Sequence, residues 1–388
     1  MPPQHLQQKQ TRRIDPKEMV KLAAASGARC EFRGCNDYLF EHAITLQDGN
    51  FSEHAHIYPF SERGPRGGTA PAPAGKNTAD NLMLLCRACH KLVDDNEDEY
   101  SLDVLREMKK EHEERIRYVT GFAATHRTHA LILKGIVGGR PMDITFDQIR
   151  EAVAPMYPVS RQGFTIDLTG HGDDTSADYF PAAERTVKSK LKEFYDRHID
   201  GSAPEHVSVF ALTSIPLLVL FGRHVSDKIA VDFYHRHRDV PQPWRWRTAD
   251  QPLSLDTRQL QAGTDTSRIG IVVSMSGAIE RASLPANINA VCPLYEIFVS
   301  GHHPSVRVLN TSDDLRHFRQ TYAALLARIA VEHPECRELH LFIAGPPPVA
   351  ILCGHERLPK VQPTLCLYDN LINNDTQQRA FVLRLTTR

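Results

Sequence analysis

Two short-spaced cysteine pairs, Cys30-x4-Cys35 and Cys86-x2-Cys89, constrain this chain more than any other feature. Each pair can clamp one edge of a tetrahedral ion, and four thiolates together make a closed structural zinc site. The second pair opens the densest chemical stretch, CRACHKLVD at residues 86–94. His90 follows the last cysteine directly, where a knuckle turns into a helix. Asp94 lies four residues on, on the same helix face. They supply two hard-metal donors one turn apart, beside but separate from the zinc ligands. Reduced core cysteines are the bland alternative, but paired spacing followed by His favours zinc.

His56 in EHAHIYP and Asn81 in ADNLMLLC extend the pattern. With them, residues 28–118 resemble the HNH (ββα-metal) endonuclease family in its four-cysteine form. The resemblance implies an α+β nuclease domain with structural Zn2+ on Cys30, Cys35, Cys86 and Cys89. It also implies three roles: His56 as the general base that activates water, Asn81 as the residue that orients it and ties down the loop, and His90 as a ligand of a catalytic Mg2+ or other divalent ion. Many members carry Asp or His just before the first histidine. Ala55 stands there in this chain, leaving His54, Asp94 or water to complete the shell. A zinc knuckle without catalysis would account for the cysteines, but not for His56, Asn81 and His90 together.

Charge places a limit on how such a domain grips DNA. Residues 1–125 carry 17 Lys+Arg against 19 Asp+Glu, and the remainder 29 against 28. A nuclease that holds DNA tightly alone is usually more basic. Either the fold clusters the basic groups, or one subunit binds weakly and assembly multiplies its contacts. No apolar run approaches the ~20 residues that span a bilayer, and the first thirty residues lack an apolar signal core. Cys292, Cys336, Cys353 and Cys366 show no paired spacing and read as reduced, buried thiols. The expectation is a cytoplasmic chain with no membrane partner.

Along the first part, Asp15-Pro16 opens a helix that Gly27 stops. Strand-like residues follow at 38–46, then a strand over 54–58 presenting His56. Residues 64–75 read as a mobile Gly/Pro loop, with Arg63 and Arg66 either touching phosphate or merely solvated. Ser101 caps a helix running to about 119. Residues 121–128 read as a linker, which sets domains at 1–120 and 129–388.

The second domain alternates strands with amphipathic helices: strand 165–168, helix 182–199, strand 207–212, helix 217–224 and strand 229–234. The order then recurs as strand 297–299, helix 313–332, strand 339–343, helix 349–353 and strand 365–368. Such alternation predicts parallel sheets covered by helices. Phe210 and Phe342, Pro216 and Pro348, Gly222 and Gly354, and Lys228 and Lys360 are each 132 apart. That offset points to a duplicated strand–turn–helix unit ending in a Gly stop, with halves at about 129–250 and 265–388. IPLLVLFG (215–222), FYHRHRDVPQPWRW (233–246), VVSMSG (272–277) and LHLFIAGPPPVAILCG (339–354) carry a resemblance to the SAVED domain, a fusion of two Rossmann-like CARF units. The resemblance implies an α/β sensor of cyclic oligonucleotides.

In open α/β sheets, ligands sit beyond the carboxyl ends of strands. On that rule Gly170, His171, Thr213, Ser214, Ser274, Ser276, Gly277 and Gly345 are candidate phosphate contacts, with ordinary turn chemistry as the alternative. Trp244, Arg245 and Trp246 either stack on bases and pair with phosphate, or place both tryptophans on one buried strand face. An HNH nuclease joined to a SAVED sensor resembles the effectors of bacterial cyclic-oligonucleotide anti-phage signalling (CBASS). That resemblance implies activation by a cyclic dinucleotide, a cyclic GMP-AMP isomer among the candidates, made by a cognate synthase. It further implies a homo-oligomer that cuts double-stranded DNA with little sequence preference. Two other classes stay open: a constitutive restriction-type nuclease reading modified DNA, and a non-catalytic zinc-containing DNA-binding regulator.

Overall fold

The computed structural model describes residues 13–387, apart from 62, 69–72, 74, 138, 173, 175, 177, 197–203, 239, 250–251, 357–362 and 373–378. The chain divides into two compact units, Met1–Ala123 and Ala124–Arg388.

The first unit opens with α1 (Pro16–Ala25), whose start is fixed by the Asp15 carboxylate accepting the Lys17 N–H at 2.8 Å. Gly27, at φ +61°, ends the turn that follows. Strands β1 (Ser52–His56) and β2 (Leu82–Cys86) form an antiparallel pair. The helix α2 (Arg87–Asp95) springs directly from β2, and α3 (Leu102–Thr120) is capped by Ser101. Leu22, Ile57, Leu82, Leu85, Val93 and Leu105 make the core beneath them. Residues 38–46 form turns rather than the expected strand. Their pairing reduces to the isolated bridges Arg29↔Tyr38 and Glu41↔Asp48. The cause is local: the His42 ring accepts the Thr45 N–H at 3.2 Å and closes a tight turn.

The second unit holds two main sheets and a two-stranded ribbon, residues 136–137 with 140–141. The first runs in the order β4 (Phe164–Asp167), β3 (Arg127–Lys134), β5 (His206–Leu212), β6 (Ala230–Phe233), all parallel. Helices α4 (Phe146–Ala152), α5 (Tyr179–Asp196) and α6 (Ile215–His224) belong to this half. The second sheet runs β7 (Leu255–Gln261), β9 (Leu294–Val299), β8 (Arg268–Ser274), β10 (Glu338–Ala344), β11 (Thr364–Ile372), β12 (Arg379–Thr387). Its four inner strands are parallel and its two edge strands antiparallel. Helices α7 (Ser312–Glu332) and α8 (Pro347–His355) accompany it. The alternation was legible in sequence, but β3, which starts inside the expected linker, was not assigned as a strand, and neither were β7, β8 and β12.

The 132-residue offset has a physical meaning that corrects the reading of its glycines as helix stops. Gly222 lies inside α6 and Gly354 inside α8, and the helices cross at these two positions. A Cβ on Gly222 would sit 2.0 Å from the Ile351 carbonyl oxygen, and one on Gly354 would sit 1.9 Å from that of Val219. Only hydrogen fits at either position, so backbone packs directly on backbone. Trp244 departs from the strand expectation too: it lies in a turn, 1% exposed, with Phe210 edge-on at 5.2 Å.

Candidate functional site

The first site is built from the loop before β1, the end of β2 and the first turn of α2. Ligand atoms of Cys30, Cys35, Cys86 and Cys89 all lie within 4.8 Å of one another, with Cys35 Sγ and Cys86 Sγ 4.0 Å apart. A tetrahedral zinc with Zn–S bonds of about 2.3 Å needs S–S edges of about 3.8 Å, so the four fit the ion. Cys86 Sγ also accepts the Cys89 N–H at 3.4 Å, and Cys30 Sγ accepts the Cys86 N–H at 3.3 Å. Burial pushes the Cys30 thiol up to about 12 and that of Cys89 higher still. Thiolates gathered there need a cation to neutralise them.

Beside this cluster, β1 ends at His56 and α2 carries His90. Asn81 is buried and saturated: its Oδ1 accepts the Tyr58 N–H at 2.9 Å, and its Nδ2 donates to the carbonyls of Tyr58 and Lys76. It therefore ties down the chain two residues past His56 and makes no side-chain bond to the ring. That bond falls to Asn77, which sequence reading passed over: His56 Nε2 lies 2.9 Å from Asn77 Oδ1. An amide oxygen only accepts, so this contact puts the proton on Nε2 and leaves the lone pair on Nδ1.

His90 is flanked on both edges. Its Nε2 is 3.4 Å from Asp94 Oδ2, and its Nδ1 is 3.8 Å from Glu53 Oε2. The i,i+4 placement of Asp94 is as the helix face demands. Glu53 was missed, though strand parity signals it: it shares a face of β1 with Ala55, where the family pattern carries its extra donor. His54 points to the opposite face. An imidazole with two carboxylates suits a divalent cation, and one ion would share His90 with one carboxylate. Arg66 is neither solvated nor free for phosphate. It is 5% exposed and donates to Val93 O at 2.9 Å and Asp94 Oδ1 at 3.0 Å.

In the second unit a cleft opens past the carboxyl ends of β5 and β10. Its walls include Thr213, Ser214, Arg236, Ser276, Gly345 and Asp369. Ser214 is the N-cap residue of α6, and its buried hydroxyl has no hydrogen-bond partner. The duplicated turn is chemically unequal: Pro346, Pro347 and Pro348 strip N–H donors from the start of α8, so α6 is the better anion end. Thr213, Ser214, Ser276 and Gly345 thus line the cleft as expected of strand-end residues. Gly170, His171 and Gly277 are not among its walls. Ser274 is turned into the sheet, where its hydroxyl donates to Glu296 at 2.6 Å. Trp244 is core, whereas Trp246 and Arg245 line an outer groove. The basic groups of the cleft are instead Arg236 and Arg238, from the HRHR run at residues 235–238, whose dense charge was its sequence signal. Burial lowers His235 to about 3 and His237 to about 4, so both are neutral near pH 7.

A four-cysteine ββα unit, followed by a doubled α/β unit with one composite cleft, defines a nuclease module joined to a small-molecule sensor module. The family comparison agrees on both halves. Residues 187–383 match the family of the SMODS-associated and fused to various effectors sensor domain, and the chain belongs to this SAVED family. Residues 30–97 match the HNH endonuclease family and form an HNH endonuclease domain. No curated protein sequence matches the chain. Among solved structures, it is similar to the Acinetobacter baumannii Cap4 SAVED/CARF-domain containing receptor with the cyclic trinucleotide 2'3'3'-cAAA. The identity is 12%, the TM-score 0.43, and the match covers 78% of this chain and 62% of that one. The Moraxella osloensis Cap4 receptor matches at 11% identity and TM-score 0.36, over 76% and 59%. The chain thus spans less than two thirds of the length of these receptors. Among the described residues, no helix is long and apolar enough to cross a membrane.

Proposed function

We propose that this protein is a cyclic-oligonucleotide-regulated, metal-dependent DNA endonuclease that serves as a CBASS effector. The observation that supports it best is one chain carrying both the His56–Asn77 and His90 arrangement and a strand-end cleft with basic and hydroxyl groups. In this reading His56 Nδ1 takes a proton from the water that attacks a backbone phosphate. Asn77 holds the ring in that tautomer, and Asn81 anchors the backbone that carries it. His90 with Glu53 or Asp94 would hold a divalent cation, Mg2+ in our reading, which when bound would offset the charge developing on the phosphate and the leaving 3′ oxygen. The substrate is double-stranded DNA, and the activator is a cyclic dinucleotide. Its binding drives the second units to assemble, so that weak phosphate contacts from several near-neutral nuclease units add up.

The test is plasmid cleavage in Mg2+ across a panel of cyclic di- and trinucleotides, with molar mass measured in each mixture. Cutting and a rise in mass with one ligand support the proposal. Cutting that ignores every ligand moves the protein to the restriction-type class, and DNA binding without cutting moves it to the regulator class. Asn77→Ala is expected to lower the cleavage rate about tenfold and to change the shape of its pH profile, as loss of tautomer control requires. An unchanged profile would remove Asn77 from this role. Arg236→Ala is expected to weaken cyclic-oligonucleotide binding about 10- to 100-fold at unchanged thermal stability, the scale of a lost charge-assisted bond to phosphate. Calorimetric titration reads both parts.

A further inference from the structure

A second group of metal donors belongs to the second unit and lies at the opposite end of its second sheet from the ligand cleft. Glu338 and His340 are two apart on β10 and so share a face. His340 is the register partner of Cys366 on the neighbouring strand β11, which brings the thiol onto that face as well. One ligand atom from each of Glu338, His340 and Cys366 lies within 4.8 Å of the others. We propose that these three residues bind Zn2+, with water or an exogenous ligand in the fourth position.

The His340 ring carries the argument. Its side chain is 6% exposed, and its Nδ1 lies 2.8 Å from the Tyr368 hydroxyl. Its Nε2 is buried, has no hydrogen-bond partner, and lies 3.3 Å from Glu338 Oε2. A charge-assisted N–H···O bond would close to about 2.7–2.9 Å. Two donors on one tetrahedral zinc, at about 2.0–2.1 Å each, stand about 3.3–3.4 Å apart. The pair has the spacing of co-ligands, and Tyr368 fills the outer place that a metal-bound imidazole usually gives to a hydrogen-bonding partner. Cys366 adds a soft donor, which favours zinc over magnesium or calcium. Arg268, whose charge reaches both His340 and Cys366, is held by Asp265 at 2.6 Å, which offsets its charge. The Glu338 side chain is 44% exposed, so the site has an entry and an open position toward solvent.

Metal analysis of the full chain, after zinc is added and the excess is removed over a weak chelator, decides the matter. With excess Mg2+ present to occupy the His90 site, two zinc ions per wild-type chain are expected, falling to one in His340→Gln and in Glu338→Gln. Cys89→Ser should lose the other ion and keep this one. Glu338→Gln alters a half-exposed side chain and serves as the folded control if His340→Gln is unstable. In Co2+-loaded protein the difference spectrum between wild type and Glu338→Gln should contain a thiolate-to-cobalt band from Cys366. One zinc in the wild type, or two in both variants, overturns the proposal.

Discussion

Replacing His56 with alanine is expected to lower DNA cleavage by about 10²- to 10⁴-fold, the usual contribution of a general base. Zinc content and cyclic-oligonucleotide affinity should stay at wild-type values. The ring is half-buried at the end of β1 and, among the described residues, bonds to Asn77, with Phe60 edge-on at 6.1 Å. Its loss therefore leaves the Asn81 anchor intact, and that anchor holds the backbone on either side of the loop. The control is Asn81→Ala, which strands the buried Tyr58 N–H and should cost stability, on the order of 1–3 kcal/mol for the unpaired group. The readouts are single-turnover cleavage at saturating metal, zinc analysis and thermal melting. A His56→Ala protein that cuts at a comparable rate would remove this histidine from the base role.

Stripping the cation from the four-cysteine cluster is expected to abolish the thermal transition of the first unit and leave that of the second. The core of the first unit is small, and its loop, β2 and α2 meet at the four sulfurs. Structural zinc contributes an apparent 10–16 kcal/mol in such sites, roughly the whole stability of a domain. Cys89→Ser should act in the same way, with nuclease activity lost and ligand binding retained by residues 124–388. Calorimetry with and without a strong chelator separates the transitions. A first unit that melts unchanged without metal would reduce the cluster to ordinary core thiols.

The sequence carried the metal cluster because the short spacing of each pair, Cys30 with Cys35 and Cys86 with Cys89, offers two thiols to one ion. His90 and Asp94 were equally visible, since one helix turn fixes their relation. Asn77 was not, because its contact with His56 depends on how the 76–81 turn folds back, and no periodicity encodes that. Glu53 was hidden by attention to the position immediately before the histidine, when the face of a strand repeats every second residue. In the second unit, strand-end turns pointed to Thr213, Ser214, Ser276 and Gly345. The same reasoning failed at Ser274, one residue too early, where the side chain still belongs to the sheet. Of the two readings of Trp244-Arg245-Trp246, burial holds for Trp244, but the strand alternation behind it does not, because the segment is a turn. Cys366 looked solitary since its companions, Glu338 and His340, lie on the adjacent strand rather than nearby in the chain.

The crossing of α6 and α8 at Gly222 and Gly354 acts as a fixed gauge. Each helix begins at the cleft and reaches the crossing about 10–12 Å later, at 1.5 Å per residue. Because main chain meets main chain there, no side-chain exchange can lengthen or shorten the span between the two helix starts. Variation that retunes which ring the cleft accepts is thereby confined to its loops, the 235–238 run and the Asp369 region above all. Homologues that keep both glycines should share one footprint size and differ in base preference. Those that have lost either glycine should differ in the dimensions of the ligand itself.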